Sequence, residues 1–136
     1  MMQTVLGIDY GTNHIGAAFG KNGLVAPLKV ISGKDPNTAI NELAKLAYEN
    51  KITSVILGLP LTFDGKETPQ SLKTRRFAKL LKIYIKKPVI FINEVNTSNE
   101  AEEEIISHGI SQKKRRTADH YSAALILKRY YEQAEA

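Results

Sequence analysis

Residues 4–31 read TVLGIDYGTNHIGAAFGKNGLVAPLKVI, and the way this stretch is punctuated decides the fold. It is apolar and rich in β-formers, yet Gly11, Gly16, Gly20 and Gly23, followed by Gly33, interrupt it at spacings too tight for a helix. The pattern predicts three strands in an antiparallel meander, Thr4–Asp9, His14–Phe19 and Leu24–Ile31. Gly20-Lys21-Asn22-Gly23 forms the second turn and carries the Asn-Gly pair that hairpins favour, because both residues tolerate positive φ.

Beyond Ile31 the period changes. Asp35-Pro36 reads as an N-cap with proline at the first helical position, and Ile40, Leu43, Ala44 and Ala47 follow at helical spacing up to about Asn50. Thr53–Leu59 is a short continuous apolar run, as in a strand buried on both faces. A second helix begins near Thr68-Pro69, with an apolar stripe expected at Phe77, Leu80, Leu81 and Tyr84. Pro88 opens another buried-type strand, Val89–Asn93. Thr97 and Glu100 form a capping box for a third helix ending at His108-Gly109. Thr117 caps a last helix through about Tyr131, with Tyr121, Ala124, Leu125, Leu127 and Tyr131 expected inside. The order β-β-β-α-β-α-β-α-α implies one mixed α/β sheet with helices on its faces. No repeat, low-complexity stretch or linker interrupts it, so residues 1–136 read as a single domain.

Composition narrows the chemistry. The 136 residues hold 19 Lys+Arg against 14 Asp+Glu, a formal charge of +5, with 43% hydrophobic residues and no cysteine. This excludes a disordered chain, a disulfide framework, thiolate catalysis and Cys-ligated zinc. The absence of a signal-like N-terminus or a membrane-length apolar run predicts a soluble cytoplasmic protein.

Three carboxylates fall at the ends of predicted elements. Asp9 ends the first strand, Glu94 follows the strand Val89–Asn93, and Asp119 opens the last helix. Singly, each has an ordinary explanation: a turn for Asp9, a solvated loop for Glu94, the helix dipole for Asp119. Together they point elsewhere, because an aspartate continuing the buried Val-Leu-Gly-Ile run needs a compensating partner such as a cation. Parallel strands end on one edge of a sheet, and carboxylates gathered there suit hard divalent ions. Two Mg²⁺ about 3.5–4 Å apart would activate water and stabilise the leaving oxygen of a phosphodiester.

A second feature is Gly58-Leu-Pro-Leu-Thr-Phe-Asp-Gly65, a strand running into a proline-stiffened loop where Thr62 could donate to a phosphate. The third is charge placement. Lys73 to Lys87 holds seven cations and no acid, and Lys113 to Arg116 adds four more, so 11 of the 19 basic residues lie in two short segments. Acid-free clustering of this kind points to a phosphate backbone. The candidate nucleic-acid contacts are Thr12, Thr62, Lys73, Arg75, Arg76, Lys79, Lys113, Lys114, Arg115 and Arg116. His14, His108 and His120 show no metal-ligand spacing.

In order along the chain, Gly7-Ile-Asp-Tyr-Gly-Thr12 with Ile15-Gly-Ala-Ala18, the 58–65 loop, Arg76-Phe-Ala78, Asn93-Glu94 to Thr97-Ser98, and Asp119 with Ala123-Ala124 and Ile126-Leu127 resemble the YqgF family. These proteins are described as Holliday-junction-resolvase-like or as nucleases of pre-16S rRNA. The resemblance implies an RNase H-like fold with a five-stranded mixed sheet, and a nuclease dependent on Mg²⁺ or Mn²⁺ whose acidic triad maps to Asp9, Glu94 and Asp119. It implies processing of the 5′ end of the 16S rRNA precursor during ribosome biogenesis, with branched DNA as the alternative substrate, and it leaves room for a homodimer. Two positions depart from the family pattern. Asn13-His14 stands where a basic pair is common, and Val95 stands where an arginine follows the second carboxylate, which removes a bidentate phosphate contact.

Two rival readings share these features. Asp-x-Gly-Thr after a strand also cradles nucleotide phosphate in actin-like and sugar-kinase-like ATPases, which close two lobes around ATP, whereas this length accommodates one. A non-catalytic RNA-binding or assembly protein of the same fold is the other, supported by the missing arginine.

Overall fold

The computed structural model describes residues 3–11, 13–93 and 118–135, the side chains of 118–120 and 135 excepted. The meander forms as the glycine punctuation dictates. Strands β1 (Thr4–Tyr10), β2 (His14–Lys21) and β3 (Leu24–Ser32) pair antiparallel in sequence order. Asn22 and Gly23 both take positive φ, 55° and 84°, which makes the β2–β3 connection a tight two-residue turn between the paired Lys21 and Leu24. Pro27 sits within β3 because β3 is an edge strand, where a missing N–H is tolerated. The register slips opposite Ala17 and Ala18, which pair with Lys29 and Pro27 and leave Leu28 as the extra residue of a bulge.

Helix α1 (Pro36–Glu49) starts as expected. Asp35 accepts from the Asn37 N–H at 3.1 Å and from the Thr38 hydroxyl at 2.7 Å, and these bonds, the hydroxyl first, hold its carboxyl below the usual range. Strand β4 (Ser54–Leu59) follows and is buried along its whole length, between β1 and β5 (Val89–Asn93), parallel to both. The sheet order is β3-β2-β1-β4-β5. β5 therefore ends the sheet, and the expectation of a strand buried on both faces does not hold for it: Ile90 is exposed.

Helix α2 (Pro69–Ile85) connects β4 to β5 and helix α3 (Ala118–Glu135) closes the described chain. The predicted third helix and Thr117 lie outside the described residues. Two inner faces differ from expectation. On α2, Phe77 and Leu81 are buried but Leu80 and Tyr84 are exposed, and Ser71, Thr74 and Ala78 complete the face instead. The two hydroxyls can be buried because they bond back into their own helix, Ser71 Oγ to the Thr68 carbonyl and Thr74 Oγ1 to that of Gln70, both at 2.9 Å. On α3, Ala123, Ala124, Ile126 and Leu127 are buried while Tyr121 is exposed and Leu125 only half-buried.

Strand alternation divides the core into two layers. Leu6, Ile8, Ile15, Val55 and Leu57 face α1 and α2, meeting Ile40, Leu43, Phe77 and Leu81. Val5, Ala18, Ile56 and Ile92 face α3. α3 rests on glycine. A Cβ at Gly7 would lie 2.6 Å from Leu127 Cγ and 3.1 Å from the Ala123 carbonyl oxygen, and one at Gly20 would lie 2.8 Å from Tyr131 Oη. Gly20 lies beside Val5 at the start of β1, so α3 runs antiparallel to β1, with its first turn over the strand's carboxyl end. No helix among the described residues is long and apolar enough to cross a membrane.

This seating makes a testable claim. Gly7→Ala should destabilise by about 1–3 kcal/mol through overpacking, and Leu127→Ala by about 2–5 kcal/mol through the cavity it leaves. Urea denaturation of the double variant should show a cost well below the sum, since the new methyl occupies part of the vacated space. Strictly additive costs would mean that α3 does not sit on Gly7.

Candidate active-site edge

The parallel register sets the site. Ile8 pairs with Leu57, Leu57 with Phe91 and Leu59 with Asn93, so β1, β4 and β5 release their chains from one edge of the sheet. Asp9 stands there on the central strand, half-buried, two residues after Gly7 and hence on the face that α3 covers. The backbone of Asp119 lies in the first turn of α3, one helical turn before Ala123, over the same end of β1. Asn93 ends β5 at this edge; Glu94 lies outside the described residues. So do Thr12, Lys113, Lys114, Arg115 and Arg116. Among the described residues no cluster of three or more His, Asp or Glu side chains forms a metal site.

The strand end that carries Asp9 is braced from the opposite layer by Phe77, expected on the inner face of α2, and by Gln70, which the sequence does not mark. The Tyr10 ring stacks on Phe77, with centroids 4.2 Å apart, and its carbonyl accepts from Gln70 Nε2 at 3.0 Å. Gln70 occupies the first turn of α2, where any polar residue fits the local pattern, and only the tertiary contact distinguishes it.

The 60–67 loop closes on itself. The Thr62 N–H donates to the Lys66 carbonyl at 2.8 Å, Lys66 N–H to Thr62 Oγ1 at 2.9 Å, and Gly65 N–H to the Thr62 carbonyl at 2.9 Å. The Thr62 hydroxyl donates to Asp64, which holds the Asp64 carboxyl below its usual range, and Lys66 Nζ lies 3.6 Å from the same side chain. The hydroxyl expected to meet a phosphate is thus spent inside the loop. At its far end, Thr68 both caps α2, accepting from Ser71 N–H at 2.9 Å, and donates to the Pro60 carbonyl at 2.7 Å. The loop's two ends are therefore tied together.

The basic residues of α2 divide by role. Arg75 grips Glu67 through two bonds of 2.5 and 3.0 Å and lies 5.3 Å from the centre of the Phe91 ring. The grip holds the Glu67 carboxyl below its usual range and ties the loop to α2 and β5. Lys73, Arg76 and Lys79 are exposed. Lys82 lies about 20 Å from Pro69 at 1.5 Å per residue, and Lys86 and Lys87 follow the far end of the helix. The run between Lys73 and Lys87 is thus spread along the length of the domain, and only its first members lie near the Asp9 edge.

This architecture has counterparts. The RuvX family profile, described as Holliday junction resolvase, matches residues 3–133. A protein of Chloroflexus aggregans is 34% identical over 131 residues, covering 94% of this chain and 92% of its own. One from Glaesserella parasuis is 34% identical over 136 residues, covering 98% and 99%. Both carry the provisional name pre-16S rRNA nuclease. Among solved structures, Thermus thermophilus RuvC in complex with a Holliday junction substrate superposes with a TM-score of 0.63 at 15% identity, over 98% of each chain. That likeness fixes the fold as RNase H-like, the expected five-stranded mixed sheet with helices on both faces. With the profile matched almost end to end and relatives a third identical over more than nine-tenths of their length, the chain belongs to the RuvX (YqgF) family of nucleases.

Proposed function

We propose that this chain is a divalent-metal-dependent nuclease that hydrolyses phosphodiester bonds, and that its substrate is the 5′ region of the 16S rRNA precursor in the bacterial cytoplasm. The observation that carries the reading is Asp9: a half-buried carboxylate one residue before the end of the central strand, with the backbone of Asp119, in the first turn of α3, over the same edge. The substrate class is supported by the names of the relatives, and branched DNA, named by the family description and the RuvC complex, is the second reading.

The donor set suits the metal. Asp9, Glu94 and Asp119 offer only hard carboxylate oxygens, which match Mg²⁺ or Mn²⁺ and not a thiophilic ion, and the chain has no cysteine to compete. Bound there, the ions would supply an activated water and charge stabilisation at the leaving oxygen. The protein's own part is positional. Burial of β1 and the α3 seat fix Asp9, while Gln70 and Phe77 hold the next residue and thereby limit rotation of the strand end. Lys73, Arg76 and Lys79, with Thr12 and the 113–116 cations, would hold the phosphate backbone. Arg75 serves instead as a strut through Glu67.

Cleavage assays on single-stranded RNA, ribosomal precursor RNA and four-way DNA junctions test this directly. Asp9→Asn should lower the cleavage rate by about 100-fold or more, the scale on which one charge-stabilising group counts. EDTA should abolish cleavage, and Mg²⁺ or Mn²⁺ should restore it. Equal cleavage by parent and variant would sink the assignment, and binding without cleavage by either would favour the non-catalytic reading. A second expectation concerns holding rather than cutting. Arg76→Gln should weaken binding to all sequences alike and flatten the slope of log affinity against log salt by about 0.7 for a single strand. An unchanged slope would remove Arg76 from the phosphate contacts.

A further inference from the structure

Phe63 is 94% exposed, more than any other large apolar side chain among the described residues. We infer that it is a stacking platform for an unpaired base of the nucleic acid, next to the phosphodiester held at the Asp9 edge; this rests on the nuclease reading above.

Three observations converge on it. The first is backbone order. The Gly65 N–H to Thr62 carbonyl bond closes a turn with Phe63 and Asp64 at its two central positions, and Gly65, at φ 84°, leads the chain back. Paired Thr62–Lys66 bonds and the Thr62–Asp64–Lys66 side-chain contacts brace that turn from within. The ring is thus presented to solvent by a fixed backbone and has only two side-chain torsions left to restrict on binding.

The second is place. The loop leaves β4 after Leu59, and Thr68 ties Pro60 to the start of α2, where Gln70 reaches the carbonyl of Tyr10, the residue after Asp9. The loop therefore leaves the sheet at the edge where the strand of Asp9 ends.

The third is charge. Thr62 spends its hydroxyl proton on Asp64, and Asp64 and Lys66 pair with each other, so the loop offers no net positive charge for a phosphate. What it presents is an apolar ring. Beside a strand whose phosphates are held by the cations of α2, the partner such a ring fits is the face of a base. Every base has that face, so the contact would be tolerant of sequence, but within a duplex the faces are covered by neighbouring bases. Phe63 would thus select for an unpaired nucleotide near the cut.

The chain contains no tryptophan, so Phe63→Trp installs a single reporter at this position. In the Asp9→Asn background with Mg²⁺ present, fluorescein-labelled 12-nucleotide single-stranded RNA, the same sequence as DNA, and a blunt RNA duplex are titrated against three proteins: Phe63, Phe63→Ala and Phe63→Trp. Phe63→Ala should weaken single-strand binding about tenfold and leave duplex binding within about twofold, inside the noise of a contact that is not made. Phe63→Trp should retain single-strand affinity, with indole emission quenched by the single strand and not by the duplex. Comparable quenching by RNA and DNA would place recognition on the base alone, as inferred. Unchanged single-strand affinity of Phe63→Ala, or an indole that does not respond while the strand binds, would overturn the stacking role and leave the nuclease assignment standing. A parent protein, with Asp9 and Phe63 both intact, that neither binds nor cleaves any strand would overturn both.

Discussion

The contact between α3 and β1 at Gly7 is the constraint on which the remaining geometry depends. Without a side chain at that position, Leu127 and the Ala123 carbonyl occupy the space where a Cβ would stand, and a helix lies directly on the central strand. Gly20 gives Tyr131 the same access further along, which orients the helix antiparallel to β1. The candidate site is placed by that orientation, which brings the first turn of α3 to the carboxyl end of the parallel strands, where Asp9 stands and β5 releases the chain toward Glu94.

The edge is served by the two layers of the fold in different ways. The α3 layer carries the backbone of Asp119 to this edge, while α2 on the opposite face braces the backbone through Tyr10, Phe77 and Gln70 and exposes Lys73, Arg76 and Lys79. Glu67 and Arg75 neutralise each other, and their two-bond grip anchors the loop between β4 and α2. Because hydrogen bonds keep Asp64 and Glu67 ionised to lower pH than ordinary carboxylates, these ties persist through neutral pH and weaken only as acid protonates both groups.

How far residue pattern alone reaches can be judged element by element. The meander, the Asn22-Gly23 turn, both capped helices and the β4 run were open to local reading, because period, φ preference and cap chemistry are short-range properties. The inner faces of α2 and α3 were not. Bulky Tyr121, Leu80 and Tyr84 look like core residues, but α3 seats Leu127 and the Ala123 backbone on Gly7, and α2 buries hydroxyls that satisfy themselves within the helix. The site divides along the same line. Asp9 stands out because a charge ending a buried strand is locally anomalous. Gln70, and the diversion of Thr62 and Arg75 to internal partners, depend on side chains meeting in space, up to 60 residues apart for Gln70 and Tyr10.

The central claim is that this edge holds a hard cation on Asp9, Glu94 and Asp119. Anomalous diffraction from crystals grown in saturating Mn²⁺ tests it without reference to activity or substrate. Manganese density at coordination distance from the Asp9 carboxylate, with Glu94 and Asp119 as further ligands, is the predicted result. Manganese bound elsewhere, with none against Asp9, would contradict it.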